Sequence, residues 1–310
     1  MMFKVCAIIA VSLVVLANGV AVSADPGEIA RVVAALNERA VAPVPNGPDE
    51  EGSAESGLEG PAAWTARTPG PDELCFIDVA VLGASTAAQV QDVVNSLTGD
   101  ARIASITGIM ITTVTPTVPE LLAFDAVLVY TNSTPQSSVL LGDNLADYVD
   151  AGRGVVATMF AVRATVSTRT IEGRFLTDNY YCIEHSVGSS VTGNATLGTI
   201  HVPGHPLLDG VTTFDGGSSS FRTPAPVTAN ATRIADWSTG QVLIAERTDL
   251  SGGRVDLGCF AVSQLASSTS WLVTTDGAAI LRNAVVRASR CDQATAVEPT
   301  TWGAIKAQLR

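Results

Sequence analysis

A helix, a glycine stop and a buried strand follow one another without a break in Leu145 to Ala161, LADYVDAGRGVVATMFA. Leu145, Tyr148 and Val149 share one helix face, Gly152 ends the helix, and Val155 to Phe160 reads as a strand covered on both sides. Glycine reverses the chain here and lets strand and helix pack closely. This Gly-x-Gly is no dinucleotide fingerprint, which needs its glycines after a strand and before a helix. Such a unit needs partners on both faces, and that confines the chain to a layered α/β architecture.

The flanking sequence repeats the pattern. Phe76 to Leu82 is an apolar run broken only by Asp78, and Gly83-Ala84-Ser85 is a tight turn. Thr86 to Leu97 is a helix with Val90, Val93, Val94 and Leu97 on one face and Gly99 as its stop. Ala101 to Thr113 contains a second strand, Pro119 to Ala123 a helical turn, and Ala126 to Thr131 a third strand. Thr134 with Pro135 starts the next helix. This order predicts a doubly wound, mainly parallel, flavodoxin-like sheet. Val162 to Phe221, rich in Thr, Ser, Gly and Asn, is a β-rich loop excursion. Thr232 to Trp237, Gln241 to Ala245 and Arg254 to Phe260 return as strands, and Trp271 to Thr275 is a last extended piece. Asp276 caps a closing helix, Gly277 to Ala288.

Outside this domain, residues 74–290, the chain is of another kind. Lys4 precedes an uncharged run that ends in Val22-Ser23-Ala24, which fits a signal peptide over residues 1–24. A retained anchor is the alternative, but the apolar centre is short for a membrane span. Residues 25–40 read as a short helix and 41–73, rich in Pro, Gly, Ser and Glu, as a flexible linker. The end, residues 291–310, is a spacer and a short amphipathic tail from Trp302. It resembles Trp-Gly-x-Ile-Lys endings of bacterial exported proteins and would allow cell-surface attachment. The expected location is therefore secreted or cell surface.

The net charge of −12 repels phosphate backbones, so nucleic acid is excluded as a partner. Past residue 24 the only lysine is Lys306, which excludes a P-loop lysine and Schiff-base chemistry in the core. Four cysteines remain there: Cys75, Cys182, Cys259 and Cys291. In an exported chain they allow two disulfides in three pairings. Cys75–Cys291, which would staple the two ends of the domain, is the preferred one.

The LADYVDAGRGVV segment (Leu145 to Val156), HPLLDGV (His205 to Val211), GRVDLGCF (Gly253 to Phe260) and TDGAAILRNAV (Thr275 to Val285) resemble the class I glutamine amidotransferase-like fold, above all its ThuA-like and related secreted branches. The enzymes of this fold carry a nucleophilic cysteine on an elbow after a central strand, with a downstream His-x-Glu. Here the strand Val155 to Phe160 continues into Ala161-Val162-Arg163 with no cysteine, and none of the three histidines stands two residues before a glutamate. The resemblance therefore implies the scaffold without the glutaminase.

Three constellations remain. Cys182, His185, His201 and His205 are metal-type ligands in one segment, but Pro203-Gly204 bars a helix there, and no metal or cofactor is expected. Gly83-Ala84-Ser85-Thr86-Ala87 approaches the G-x-S-x-G elbow, with His205 as base and Asp209 or Asp276 as orienter; the plain alternative makes Ser85 a helix N-cap. Arg174 could hold an anion, and Tyr180-Tyr181 could stack on a sugar, or place one ring in the core and one outside. Ligands of open parallel sheets bind beyond the strands' carboxyl ends. The expected ligand-binding residues are Ser85, Asn132, Phe160, Arg174 and His205. They suit a non-catalytic exported module that binds a small molecule or a protein. A hydrolase of sugars or amides, using Ser85 or the His201/His205 region, and a structural cell-surface component are the alternatives.

Overall fold

The computed structural model describes residues 75–291. The signal peptide, the 25–40 helix, the linker and the tail from Trp302 lie outside the described residues. No helix among the described residues is long and apolar enough to cross a membrane.

Eight strands form one sheet. In chain order its first four are β1 (Ile77–Ala84), β2 (Ile103–Met110), β3 (Ala126–Thr131) and β4 (Gly154–Met159). After the excursion come β8 (Thr232–Trp237), β9 (Val242–Arg247) and β10 (Arg254–Phe260). Within the excursion, β5 (Arg163–Ala164) and β6 (Ser186–Val187) pair with each other, and β7 (Leu197–Ile200) joins the main sheet. The order across the main sheet is β2-β1-β3-β4-β10-β9-β8-β7, parallel from β2 to β10 and antiparallel beyond.

Strand residues alternate between two cores. Val79, Val81, Leu128 and Tyr130 face α1 (Ala87–Leu97) and the closing helix, whereas Ala80, Leu82, Val127 and Val129 face the other side. On that side lie α2 (Val118–Leu121), α3 (Ser138–Asp150) and α4 (Gly173–Thr177). The closing helix is α5 (Gly277–Ser289). This is the doubly wound α/β arrangement that the alternation of elements predicts.

Local departures have local causes. The cap of α1 is Thr86, whose hydroxyl accepts from Gln89 N at 3.3 Å, and not Ser85. Helix α3 starts at Ser138 because Ser137 caps it, its hydroxyl accepting from Leu140 N at 3.2 Å; Thr134-Pro135 therefore precedes the helix. Asp276 stands at the cap position of α5, but its side chain does not bond the first turn. Its carboxylate instead accepts from Thr212 N and Thr213 N, both at 2.8 Å. Trp271 to Thr275 is turned rather than extended, since Thr275 N donates back to Leu272 O at 3.0 Å; the Trp271 indole packs inward and donates to Ala261 O at 3.0 Å. Tyr180 and Tyr181 are both buried, so neither offers a face for a sugar.

A disulfide joins Cys75 and Cys291, with 5.6 Å between their Cα atoms. Cys182 and Cys259 are free and buried.

Candidate functional site

The carboxyl ends of β1, β3 and β4 are stitched together by backbone bonds. Asn132 N and Ser133 N donate to Ala84 O at 2.8 and 2.7 Å, and Phe160 N donates to Thr131 O at 3.1 Å. That stitching fixes Ser85, Asn132 and Phe160 on one rim. The Ser85 hydroxyl donates to Gln89 Oε1, which also takes Asn132 Nδ2 at 3.3 Å.

The excursion lies over this rim. Arg169 reaches back to donate to Asn132 O at 2.6 Å, and its guanidinium stands 5.3 Å from the Phe160 ring centroid. Phe160 packs edge-on against Phe221 at 4.9 Å and against Phe260 at 5.5 Å. Below them, the Tyr130 hydroxyl and Thr131 Oγ1 are buried without a hydrogen-bond partner. Burial pushes the Tyr130 phenol well up, against the opposing effect of the nearby Ser85 hydroxyl. On the same side Asp92 of α1 holds the turn after β10, accepting from Ser263 N and Oγ at 2.7 and 2.8 Å.

The rim thus brings together Ser85, Asn132 and Phe160 and adds Gln89 and Arg169. Arg169 sits in a Ser-Thr-rich run with no periodic pattern, and its approach to Asn132 spans 37 residues of sequence. The only sequence signal was a cation in the excursion expected to cover the rim.

The other two expected residues lie elsewhere. His205 Nε2 bonds Glu246 Oε1 at 2.8 Å, while its Nδ1 accepts from Leu207 N at 3.2 Å. Glu246 pairs in register with Val255, at the start of β10, which puts His205 at the amino end of the parallel strands, opposite Ser85. The Ser85–His205 dyad of the hydrolase reading is therefore not assembled. Burial would raise the Glu246 carboxyl, but Arg287 and His205 outweigh it and hold it below the ordinary value. Arg174 lies against α3 and is spent on Asp147, Asp150 and Asp178, with the Asp150 contact at 2.8 Å.

Neither remaining histidine supplies a base to Ser85. His201 Nε2 bonds Asp236 at 2.8 Å, a carboxylate also held by Arg233. His185 Nε2 contacts Thr170 Oγ1 at 2.8 Å, but that hydroxyl already donates to Ser167 O at 2.6 Å and is not activated. Cys182 Sγ lies 3.4 Å from Arg254 O. The four metal-type residues therefore face four different partners, and no group of three or more His, Cys, Asp or Glu among the described residues could hold a metal ion.

No family model matches the chain, and no curated protein matches it. Solved structures do. A cytoplasmic protein from Salmonella typhimurium LT2 is 12% identical with a TM-score of 0.50, covering 67% of this chain and 98% of its own. A ThuA-like protein from Parabacteroides merdae is 10% identical with a TM-score of 0.47, covering 69% and 90%. A glutamine amidotransferase from Thermotoga maritima is 7% identical with a TM-score of 0.38, covering 62% and 79%. The likeness is one of fold alone.

Proposed function

We propose that the chain is an exported α/β module that performs no catalysis of its own and binds a ligand at the carboxyl rim of its sheet. The observation that carries this reading is Phe160. It occupies the place where the resembled enzymes hold their nucleophile, and it is packed between Phe221 and Phe260 with Arg169 over its ring. Ser85, the other nucleophile on the rim, bonds Gln89 and has no histidine within reach. The rim nevertheless keeps exposed polar groups at Asn132 and Ser133, next to buried hydroxyls without partners. Open α/β sheets bind their ligands at such a rim. Export is supported by the Cys75–Cys291 disulfide, since disulfides persist in oxidising compartments. Attachment to the cell surface would run through the tail from Trp302.

Three measurements test this. The purified chain is treated with a fluorophosphonate and with a glutamine-analogue diazoketone and weighed intact; unchanged mass is expected, and an adduct overturns the non-catalytic reading. A fragment library is screened by amide chemical shifts, with responses expected at Asn132 and Phe160; responses confined to other parts of the sheet overturn the rim as binding face. Cell fractionation is expected to find a chain beginning at Asp25 outside the cytoplasm, and an uncleaved cytoplasmic chain overturns export.

A further inference from the structure

Arg169 is a cation with too few partners. Its hydrogen bonds go to one residue, Asn132, from Nη2 alone, at 2.6 Å to the backbone oxygen and 3.5 Å to the side chain. Its Nε is buried and unpaired, and no acceptor meets Nη1. Every other arginine among the described residues meets a carboxylate or acceptors from at least two residues. Arg222, for comparison, donates to the carbonyls of Gly193, Ser220 and Thr192. A half-buried guanidinium without a counter-charge is costly, and the cost is recovered when an anion completes it.

We infer that Arg169 reads the ligand of the rim and that this ligand is a small organic monocarboxylate. The inference rests on the reading of the rim as a binding face. The Nη1 donors of the guanidinium, which no hydrogen bond uses, suit the oxygens of a carboxylate. One cation matches one negative charge: the described residues contain no lysine, and a chain of net charge −12 repels dianions. The half-buried rings of Phe160 and Phe221 beside it suit an apolar or planar body.

The test titrates the full chain with benzoate, with neutral benzamide and with inorganic phosphate, at constant ionic strength. Benzoate is expected to bind saturably and to shift the Asn132 and Phe160 amides. Benzamide and phosphate should bind at least tenfold more weakly. Arg169→Gln should lose at least tenfold in benzoate affinity, while Arg153→Gln, at the opposite end of the sheet, keeps it. Should Arg169→Gln fail to fold, Arg169→Lys and the arginine side-chain nitrogen resonances of the unaltered chain give the same answer. Equal binding of benzamide, tighter binding of phosphate, or an unchanged affinity on losing Arg169 overturns the monocarboxylate and leaves the rim standing. If no probe or fragment shifts Asn132 or Phe160, the rim itself falls.

Discussion

Gly154, the first residue of β4, lies directly against the backbone of Ala288 near the end of α5: a Cβ on it would stand 2.3 Å from the Ala288 carbonyl carbon and oxygen. Gly253 touches the same carbonyl from the neighbouring strand, its would-be Cβ 2.2 Å away. The closing helix reaches the sheet only because neither Gly154, at the start of β4, nor Gly253, just before β10, carries a side chain.

Gly154→Ala is therefore expected to destabilise the domain by about 3 kcal/mol, because backbone must move against backbone in a packed layer. Gly152, with φ of +87° and nothing near its would-be Cβ, should cost less on replacement by Ala, about 1 kcal/mol of conformational strain. Urea midpoints of the two variants check the order.

The second prediction concerns Arg254 and Asp256, both fully buried and paired at 2.6 Å. Asp256 also accepts from Cys182 N and Ile183 N, while Arg254 donates to Tyr180 O and stacks on Phe175. The pair ties the excursion to the start of β10. Asp256→Leu alone strands the arginine and should cost about 3–5 kcal/mol, whereas the double variant with Arg254→Met should cost clearly less than the two single changes together. A double-mutant cycle in denaturant reads the difference.

Thiol chemistry gives a third expectation. Burial pushes the Cys259 thiol up to about 12 and also raises the Cys182 thiol well above its ordinary value, so the native chain should resist iodoacetamide at both. Denatured without reductant, the domain should be labelled at Cys182 and Cys259 and not at Cys75 or Cys291. Opening the disulfide, which closes a separation of 216 residues, should lower stability by about 3–5 kcal/mol. Peptide mapping and thermal melts with and without reductant decide.

A pH dependence follows from Asp276. Backbone bonds from Thr213 and Thr212 hold its carboxyl below the ordinary value. A carboxylate whose folded pKa is depressed stabilises the fold above its unfolded pKa and loses that contribution as pH falls through the folded one. Asp276→Asn should thus be less stable than the unaltered chain at pH 7 and pH 5. The gap should close as pH falls below about 4, the ordinary carboxylate range. Melting temperatures of both chains across pH 2–7 provide the check.

Much of this fold is written locally. The apolar runs of β1, β3 and β4, the face of α3 and the strands after the excursion follow from periodicity, and β3 falls at Ala126–Thr131 as its apolar run predicts. The preferred Cys75–Cys291 bridge is present. What could not be read is set by distance. β7 is a short, half-exposed segment that becomes a strand only by pairing with β8. His205 resembles a base in sequence, but nothing nearby says that its turn falls at the amino end of the sheet. Arg174 and Arg169 are indistinguishable as isolated cations in a polar stretch. Only the fold gives the first three aspartates and leaves the second facing a rim.

The bridge between Cys75 and Cys291 also fixes how the domain bears mechanical load. With their Cα atoms 5.6 Å apart, the chain enters and leaves the domain at one point. Tension applied along the polypeptide passes through the covalent link and bypasses the sheet. The chain between the two cysteines, a sequence separation of 216, adds no contour length until the bridge is cut. A segment anchored at a surface could be stretched without unfolding what it carries.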